Sequence, residues 1–287
     1  MLRRLLAFVL CLMLCLPAAF AQEEGTATPA MDMSLMEAAQ QGLLDEADIP
    51  IENVAPFIPE GEVDKTIFGA DDRKVVSSPG KYPYSAIAYL IVKGRCGCNW
   101  TGTGFMIGRY SMMTAAHCVV CTQHGKTAGS ITMYFGHRSS KDYYYKYNGA
   151  TTYWYGTNFS NNDGTYGYTS DHMDWDYAYI KLEKPMGDKT GWFGTQARVA
   201  SELNYDTYEI AGYREGTLKT AKGGATVYND YILRYTIDTL PGTSGCPVFD
   251  SEYYAVGVNV AQSDSHNYAR LFTRDLMKEL RKNGMFD

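Results

Sequence analysis

Three residues of this chain have the types and local settings needed for nucleophilic catalysis. His117 ends the run Thr-Ala-Ala-His, Asp176 directly precedes an apolar run, and Ser244 lies in the sequence Gly-Thr-Ser-Gly-Cys-Pro. A serine hydroxyl is a weak nucleophile at neutral pH and needs a base within hydrogen-bond distance. An imidazole can take that proton and return it, and a carboxylate beside the imidazole sets its tautomer. The three residue types therefore predict acyl transfer through a covalent intermediate.

The order in which these residues occur strengthens that prediction. His, then Asp, then Ser is one of three chain orders in which the same catalytic geometry recurs, so we interpret the motifs as a serine endopeptidase triad. Gly242, a small residue two positions before Ser244, allows a tight turn in which the N–H groups of Gly242 and Ser244 form an oxyanion hole. Asp176 is preferred to Asp174 as the third member because a strand edge holds a carboxylate more rigidly than a loop.

Two other function classes are compatible with part of this pattern. A binding module can use the same fold without catalysis, but such proteins usually lack part of the triad, and here all three members are in place. An esterase would share the chemistry, but the chain has no lid-like apolar segment. The remaining histidines lie in polar, loop-like contexts and make poorer bases: His124, His137, His172 and His266. We expect no cofactor and no catalytic or structural metal.

The N-terminus has the pattern of an export signal over residues 1–21. Arg3 and Arg4 precede twelve apolar residues, Leu5 to Leu16, and Ala19-Phe20-Ala21 offers a cleavage site between small residues. Twelve helical residues reach only about 18 Å, which is short of a bilayer core of about 30 Å. We therefore expect a secreted protein without a membrane anchor.

Residues 22–65 differ in composition from the rest of the chain. Residues 22–64 hold eleven acidic residues and no Lys or Arg, whereas residues 66–287 hold 23 basic and 21 acidic residues. We interpret the acidic segment as a propeptide that lies over a mildly basic protease domain, 66–287. The expected partners are protein or peptide substrates and the protein's own propeptide. The charge balance gives no indication of nucleic-acid binding, and a monomer is expected.

Five cysteines remain after removal of the signal, and an odd number leaves at least one thiol unpaired. They are Cys96, Cys98, Cys118, Cys121 and Cys246. The close pairs 96/98 and 118/121 would also suit zinc, but in an exported chain disulfides are the commoner outcome. We therefore favour disulfides over a zinc site.

The pattern of short runs predicts an all-β domain of two antiparallel β-barrels. Seven runs rich in Ile, Val, Tyr and Thr are predicted strands: residues 85–92, 105–107, 131–135, 177–182, 208–211, 232–237 and 255–260. A C-terminal helix is predicted from apolar residues at helical spacing, with Thr273 as its N-cap. Its apolar face is formed by Leu271, Phe272, Leu276, Met277 and Leu280.

The motifs around His117 and Ser244 resemble the catalytic signatures of trypsin-fold serine proteases. Further stretches resemble the bacterial glutamyl endopeptidase branch: Ile-Phe-Gly-Ala-Asp-Asp-Arg (67–73), Tyr-Pro-Tyr (82–84), Thr-Gly-Phe-Met-Ile-Gly (103–108), Gly-Trp-Phe-Gly (191–194), Ala-Gly-Tyr (211–213) and Leu-Arg-Tyr-Thr-Ile-Asp-Thr (233–239). The resemblance covers essentially all of residues 66–287. It implies two six-stranded antiparallel barrels packed at a catalytic cleft, with His117 and Asp176 on the first and Ser244 on the second.

The resemblance also implies how the substrate is selected. In that branch the freed N-terminus lies near the specificity pocket, which places it here at Thr66, after a cut behind Lys65 by an activating protease. Thr239 matches a pocket hydroxyl, and Asn259 stands where the branch has a histidine that binds acidic side chains. A preference for acidic residues before the scissile bond is the implied specificity. The alternative is a preference for Lys or Arg before the scissile bond, with Asp238 as the carboxylate that binds the basic side chain.

One departure from the branch concerns the cysteine beside His117. The cysteine that usually bridges to this position is replaced here by Gly102. By analogy with that bridge, Cys118 is expected to pair with Cys96 or Cys98 instead.

Overall fold

The computed structural model describes residues 53–59, 74–149, 151–156, 158–159, 170–198, 200–203, 207–237, 243–263 and 265–286. These residues belong to one compact unit that spans residues 51–287. The predicted signal, most of the predicted propeptide and four predicted site residues lie outside the described residues: Thr66, Asp238, Thr239 and Gly242. Within the described ranges, none of the helices combines the length and the apolar character needed to cross a bilayer.

The first half of the domain is a seven-stranded antiparallel sheet. Its strands are β2 (Ile87–Gly94), β3 (Asn99–Met106), β4 (Ser111–Thr114), β5 (Ala128–Phe135), β6 (Tyr145–Tyr147), β7 (Thr151–Tyr155) and β8 (Ala178–Leu182). Their order across the sheet is β6-β5-β2-β3-β4-β8-β7. In β2 the side chains of Ala88, Leu90 and Val92 are fully buried, and Lys93 is exposed. This is the alternation expected of a strand with one face in the core.

The second half contains a closed barrel of six strands. Its strands and their appendages are β1 (Lys74–Val75), β9 (Gly194–Thr195), β10 (Thr207–Arg214), β11 (Thr217–Val227), β12 (Ile232–Tyr235), β13 (Pro247–Phe249), β14 (Tyr254–Gln262) and β15 (Asn267–Leu271). The order β11-β10-β13-β14-β15-β12 closes on itself because β12 also pairs with β11, while β1 and β9 add to the outside. A hydrophobic cluster that includes Tyr208, Leu233 and Val248 fills this barrel.

The predicted architecture is confirmed with one correction. The second half is the six-stranded antiparallel barrel that was expected. The first half is not a six-stranded closed barrel: among the described residues its seven strands form an open, half-barrel sheet whose end strands β6 and β7 do not pair. Closure needs both end strands to meet edge to edge, and here each end strand has a single partner.

Three short α-helices complete the described fold: α1 (Gly187–Thr190), α2 (Ala200–Leu203) and α3 (Arg274–Lys282). The C-terminal helix α3 was predicted correctly, and the Thr273 hydroxyl caps it by accepting a hydrogen bond from the Leu276 N–H at 3.4 Å. Leu276, Met277 and Leu280 are buried, as expected for its apolar face. Leu271 instead ends strand β15, and Phe272 precedes the helix.

Candidate active site

His117 and Asp176 form a closely hydrogen-bonded pair. His117 lies in a short 3₁₀ turn, Ala116–Cys118, which follows β4, and Asp176 directly precedes Tyr177 and strand β8. Because β4 and β8 are neighbouring strands, the two residues meet at one end of the sheet. One carboxylate oxygen, Oδ2, lies 2.7 Å from His117 Nδ1, and Oδ1 accepts the His117 backbone N–H at 3.0 Å. Both carboxylate oxygens therefore hold the histidine, one through its ring and one through its backbone.

The environment of the pair sets the charge behaviour of the imidazole. Asp176 is fully buried, and the His117 side chain is 15% exposed. Burial by itself lowers the pKa of His117, but the negative charge of Asp176 offsets this, and the pKa of His117 lies well above its ordinary value of 6.5. An imidazole with a raised pKa is a stronger base in its neutral form, which suits the acceptance of a proton from a hydroxyl.

Ser244 lies on a tight turn that only glycine at the next position allows. Gly245 has a φ of +84°, and a Cβ at this position would lie 2.2 Å from the Thr103 carbonyl oxygen and 2.3 Å from Thr114 Oγ1. The Gly245 N–H donates to the Asn259 carbonyl at 2.8 Å. The N–H of Ser244 donates to no acceptor within the described part of the chain. A backbone N–H in such a turn is suited to hold an oxyanion.

Thr103 is a structural contributor that the sequence motifs did not single out. Its N–H donates to the Ser244 carbonyl at 2.8 Å, and its carbonyl accepts from the Thr114 hydroxyl at 2.7 Å. Its own hydroxyl accepts the Tyr213 N–H at 2.9 Å. This fully buried threonine therefore joins the turn that carries Ser244 to strand β4, which leads to His117. It also joins that turn to strand β10 of the barrel. Its position in the Thr-Gly-Phe run that resembles the family was the available signal.

The segment that carries His117 also contacts the turn of Ser244 directly. Cys118 Sγ lies 3.4 Å from the Ser244 carbonyl oxygen. All five described cysteines have free thiols, so the expected pairing of Cys118 with Cys96 or Cys98 is not formed. A Cβ at Gly102 would lie 2.6 Å from Cys118 Sγ, so the glycine makes room for this thiol. Here Cys118 is a buried packing residue between the two halves of the site.

Asn259, the predicted pocket residue, lies beside the turn that carries Ser244. It is buried on β14, and its Oδ1 accepts the Tyr235 hydroxyl at 2.5 Å. Its Nδ2 lies 3.5 Å from the Thr243 hydroxyl, one residue before Ser244. Burial holds the pKa of Tyr235 well above its ordinary value, so the phenol stays protonated and can donate. Tyr235 therefore orients the amide with its NH₂ group toward the turn, a role that sequence reasoning missed.

A charged cavity of about 450 Å³ lies apart from these residues, lined by Arg198, Thr207, Glu209, Lys222, Asp250, Ser251 and Glu252. Four of its charged residues form two ion pairs: Lys222 Nζ lies 2.9 Å from Glu209 Oε2, and Arg198 bonds Asp250. The described histidines outside the pair have other roles. The ring of buried His137, for example, hydrogen-bonds the Gly216 carbonyl at 2.7 Å.

Comparisons with known proteins identify the family and the fold of this chain. The model of the trypsin-like peptidase domain matches residues 102–258. The glutamyl endopeptidase of Bacillus licheniformis is 34% identical over 191 residues, which cover 65% of this chain and 55% of that protein. A Bacillus subtilis protein named extracellular metalloprotease is 28% identical over 225 residues, covering 75% of this chain and 68% of that protein. The matched part thus spans about half the length of the first relative.

Solved structures show the same fold. A Glu endopeptidase in complex with MPD superimposes with a TM-score of 0.61 at 22% identity, covering 77% of this chain and 99% of that one. The protease Anisep from Arthrobacter nicotinovorans gives a TM-score of 0.58 at 18% identity, covering 73% and 98%. With the family match extending over more than half of its length, the chain belongs to the trypsin-like peptidases and has the two-lobed fold of a trypsin-like serine protease.

Proposed function

We propose that this chain is a secreted serine endopeptidase, made as a zymogen, that cleaves peptide bonds after acidic residues. The observation that carries the catalytic part is the pair formed by His117 and Asp176 at the end of β4, beside the turn that presents Ser244. The export pattern of residues 1–21 supports secretion, and the relatives named above are bacterial proteases.

In the proposed mechanism Ser244 Oγ attacks the scissile carbonyl while His117 Nε2 takes its proton. Asp176 keeps the other ring proton on Nδ1 and stabilises the imidazolium. The N–H groups of Ser244 and Gly242 hold the negative oxygen of the tetrahedral intermediate. His117 then donates its proton to the leaving amine, and an acyl-enzyme remains on Ser244. Water, deprotonated by His117, releases the acyl group and restores the free serine.

The proposed acidic preference rests on the orientation of the Asn259 amide. Tyr235 occupies its oxygen, so its NH₂ donors face the region of Thr243 and the nucleophile. The NH₂ group of Asn259 donates hydrogen bonds and carries no negative charge. It therefore suits a carboxylate or carboxamide side chain of the substrate as acceptor. Hydrogen bonds to charged groups contribute about 1.5–3 kcal/mol. The alternative, recognition of Lys or Arg by Asp238, concerns a residue outside the described ranges.

Replacing Asn259 by aspartate is expected to lower kcat/KM for a Glu-containing peptide by about ten- to a hundredfold, because a donor is lost and a like charge is added. The measurement is a mass-spectrometric cleavage profile of a peptide library, using the chain processed at Thr66. Ser251→Asp adds the same charge at an exposed position and should leave the profile unchanged.

The profile also separates the alternatives. If the processed chain cuts after Lys or Arg and Ser244→Ala does not, the proposed acidic preference is wrong. The result would then favour recognition of Lys or Arg by Asp238. If the processed chain and Ser244→Ala are equally inactive, the protein is a binding module and the catalytic proposal fails.

The proposed zymogen is supported by the described part of the propeptide, residues 53–59. Val54 pairs with Thr195 through two backbone hydrogen bonds of 3.0 and 2.9 Å, and Phe57 pairs with Trp192 at 3.0 and 3.1 Å. The Phe57 and Trp192 rings stack with centroids 4.3 Å apart, and the Trp192 indole N–H donates to the Ala55 carbonyl at 3.2 Å. The segment therefore adds a short strand-like edge to the protease domain, which can retain the propeptide after cleavage.

A released peptide of residues 22–65 is expected to inhibit the processed enzyme, and the chain that begins at Gln22 is expected to be less active than the processed form. Phe57→Ala in the peptide should weaken inhibition by about two- to twelvefold, since such ring pairs contribute about 0.5–1.5 kcal/mol. Trp192→Ala in the enzyme should weaken inhibition at least as much, because the indole hydrogen bond to the Ala55 carbonyl is lost as well. The combined effect of the two changes should be smaller than the sum of the single effects. Ile58→Ala, at a residue 41% exposed, is the matched control. If the chain that begins at Gln22 is as active as the processed form, the proposal that the protein is made as a zymogen is wrong.

A further inference from the structure

A second group of chemically competent side chains lies outside the triad, where two loops meet. One loop is the β2–β3 turn, residues 95–98, and the other follows the 3₁₀ turn of His117, residues 119–125. They bring together Cys96, Cys98, Cys121 and His124, whose ligand atoms all lie within 4.8 Å of one another. Three thiols and one imidazole in one cluster are the donor set of a structural zinc site.

The two sulfur-to-nitrogen distances at His124 fit a tetrahedral ion. Cys98 Sγ lies 3.3 Å from His124 Nδ1, and Cys121 Sγ lies 3.6 Å from the same nitrogen. Bond lengths of about 2.3 Å to sulfur and about 2.0–2.1 Å to nitrogen place S and N ligands about 3.5 Å apart at a tetrahedral angle. The Nδ1 atom therefore lies at the separation from both sulfurs that a shared metal requires.

The backbone of both loops is arranged to turn these side chains toward each other. In the first loop Gly94 N–H donates to the Cys98 carbonyl at 2.8 Å, and Gly97 between the two cysteines has a φ of +86°, which favours glycine. In the second loop the Cys121 N–H donates to the Lys126 carbonyl at 2.9 Å. The Arg95 N–H donates to the Thr127 carbonyl at 3.0 Å and joins the two loops.

Disulfide pairing accounts for this cluster less well than a metal does. A disulfide would use two of the three thiols and would leave one thiol and the imidazole without a role. The other two cysteines, Cys118 and Cys246, are buried outside the cluster and belong to the protein core. Thiolates with an imidazole select zinc over calcium or magnesium, which prefer oxygen ligands.

We propose that Cys96, Cys98, Cys121 and His124 bind one structural zinc ion. The thiols lose their protons on binding, and the four protein ligands leave no open position for a substrate. The ion clamps the β2–β3 turn to the segment that begins three residues after Cys118. The Trp100 indole N–H, which donates to the Cys118 carbonyl at 3.0 Å, ties the same two segments together. The clamp therefore stabilises the backbone that carries the proposed general base.

The test is the metal content of the full chain, expressed by secretion with zinc in the medium and purified without chelator. We expect about one zinc per chain by inductively coupled plasma mass spectrometry. His124→Ala and Cys98→Ser should each reduce the zinc content at least tenfold, while His266→Ala, a histidine of the other half, should retain it. Chelation should lower the melting temperature of the unsubstituted chain and should not change that of His124→Ala.

Two further measurements on the unsubstituted chain test the zinc site even if the variants do not fold. Cobalt(II) bound to the unsubstituted chain should show thiolate-to-metal charge-transfer bands, and alkylation after unfolding in chelator should modify all three cluster cysteines. A chain that takes up no zinc overturns the proposal, as does a cross-linked peptide that joins Cys121 to Cys96 or Cys98. Zinc retained undiminished by both ligand variants overturns the assignment of the ligands.

Discussion

Replacement of Ser244 by alanine is expected to lower kcat by about a millionfold in the processed enzyme. The change removes the nucleophile and leaves the turn intact, since Gly245 keeps its backbone hydrogen bond to Asn259 and Thr103 still bonds the carbonyl of residue 244. Only the oxyanion hole and substrate binding then remain to accelerate hydrolysis. The measurement is kcat for a peptide identified in the cleavage profile, with thermal unfolding to show that the fold is retained.

The matched control for this prediction is Ser251→Ala. Ser251 is an exposed serine seven residues downstream in the same barrel, and its loss should change kcat by less than twofold. An active-site serine reagent should label the parent enzyme and this control but not Ser244→Ala. A loss of only a few-fold in Ser244→Ala would show that another residue is the nucleophile.

Replacement of Asp176 by asparagine is expected to lower kcat by about ten thousandfold, for a reason that the geometry makes specific. The His117 backbone N–H needs an acceptor at 3.0 Å, which the amide oxygen of asparagine can supply. The amide NH₂ must then face His117 Nδ1, where the carboxylate oxygen now lies at 2.7 Å. That nitrogen is forced to accept, so the ring proton moves to Nε2, and the imidazole can no longer take the proton of Ser244.

The same substitution has an expected signature in the pH profile. His117 acts as a base only when neutral, so kcat/KM of the parent enzyme should rise with pH, with a midpoint above the ordinary histidine pKa of about 6.5. Without the charge of Asp176, burial dominates and the midpoint should move to lower pH. Asp174→Asn, two residues away and half-buried, should change neither quantity by more than a few-fold. An unchanged midpoint in Asp176→Asn would contradict the assigned pairing.

Local sequence pattern was sufficient for the strands with strong periodicity. All seven predicted runs lie largely in observed strands, and the helix cap at Thr273 is correct. Strand β11 was not predicted although it spans eleven residues, because its sequence, rich in Lys, Gly, Ala and Thr, has little apolar alternation. It is a strand because β10 pairs with it along eight positions and β12 closes the barrel onto its other end.

The candidate catalytic residues could be identified from the sequence because each lies in a short motif with its own chemical signature. The residues that contact them could not be identified in this way, since their roles come from contacts between distant parts of the chain. Thr103 acts through residues at positions 114, 213 and 244, and Tyr235 acts through an asparagine 24 residues later. Nothing in the neighbouring sequence of either residue records those contacts.

The cysteines show most clearly which properties follow from the sequence and which follow only from the tertiary structure. The chain by itself determined the residue types, the motif order and the strand periodicities, because these depend on side-chain chemistry and on the repeat of a strand. Taken as neighbours in sequence, Cys118 and Cys121 form a pair, but the fold sends Cys118 into the core and Cys121 toward His124 and the β2–β3 turn. Only the tertiary structure decided this, since two loops more than twenty residues apart are brought together by the pairing of strands, which no local pattern encodes.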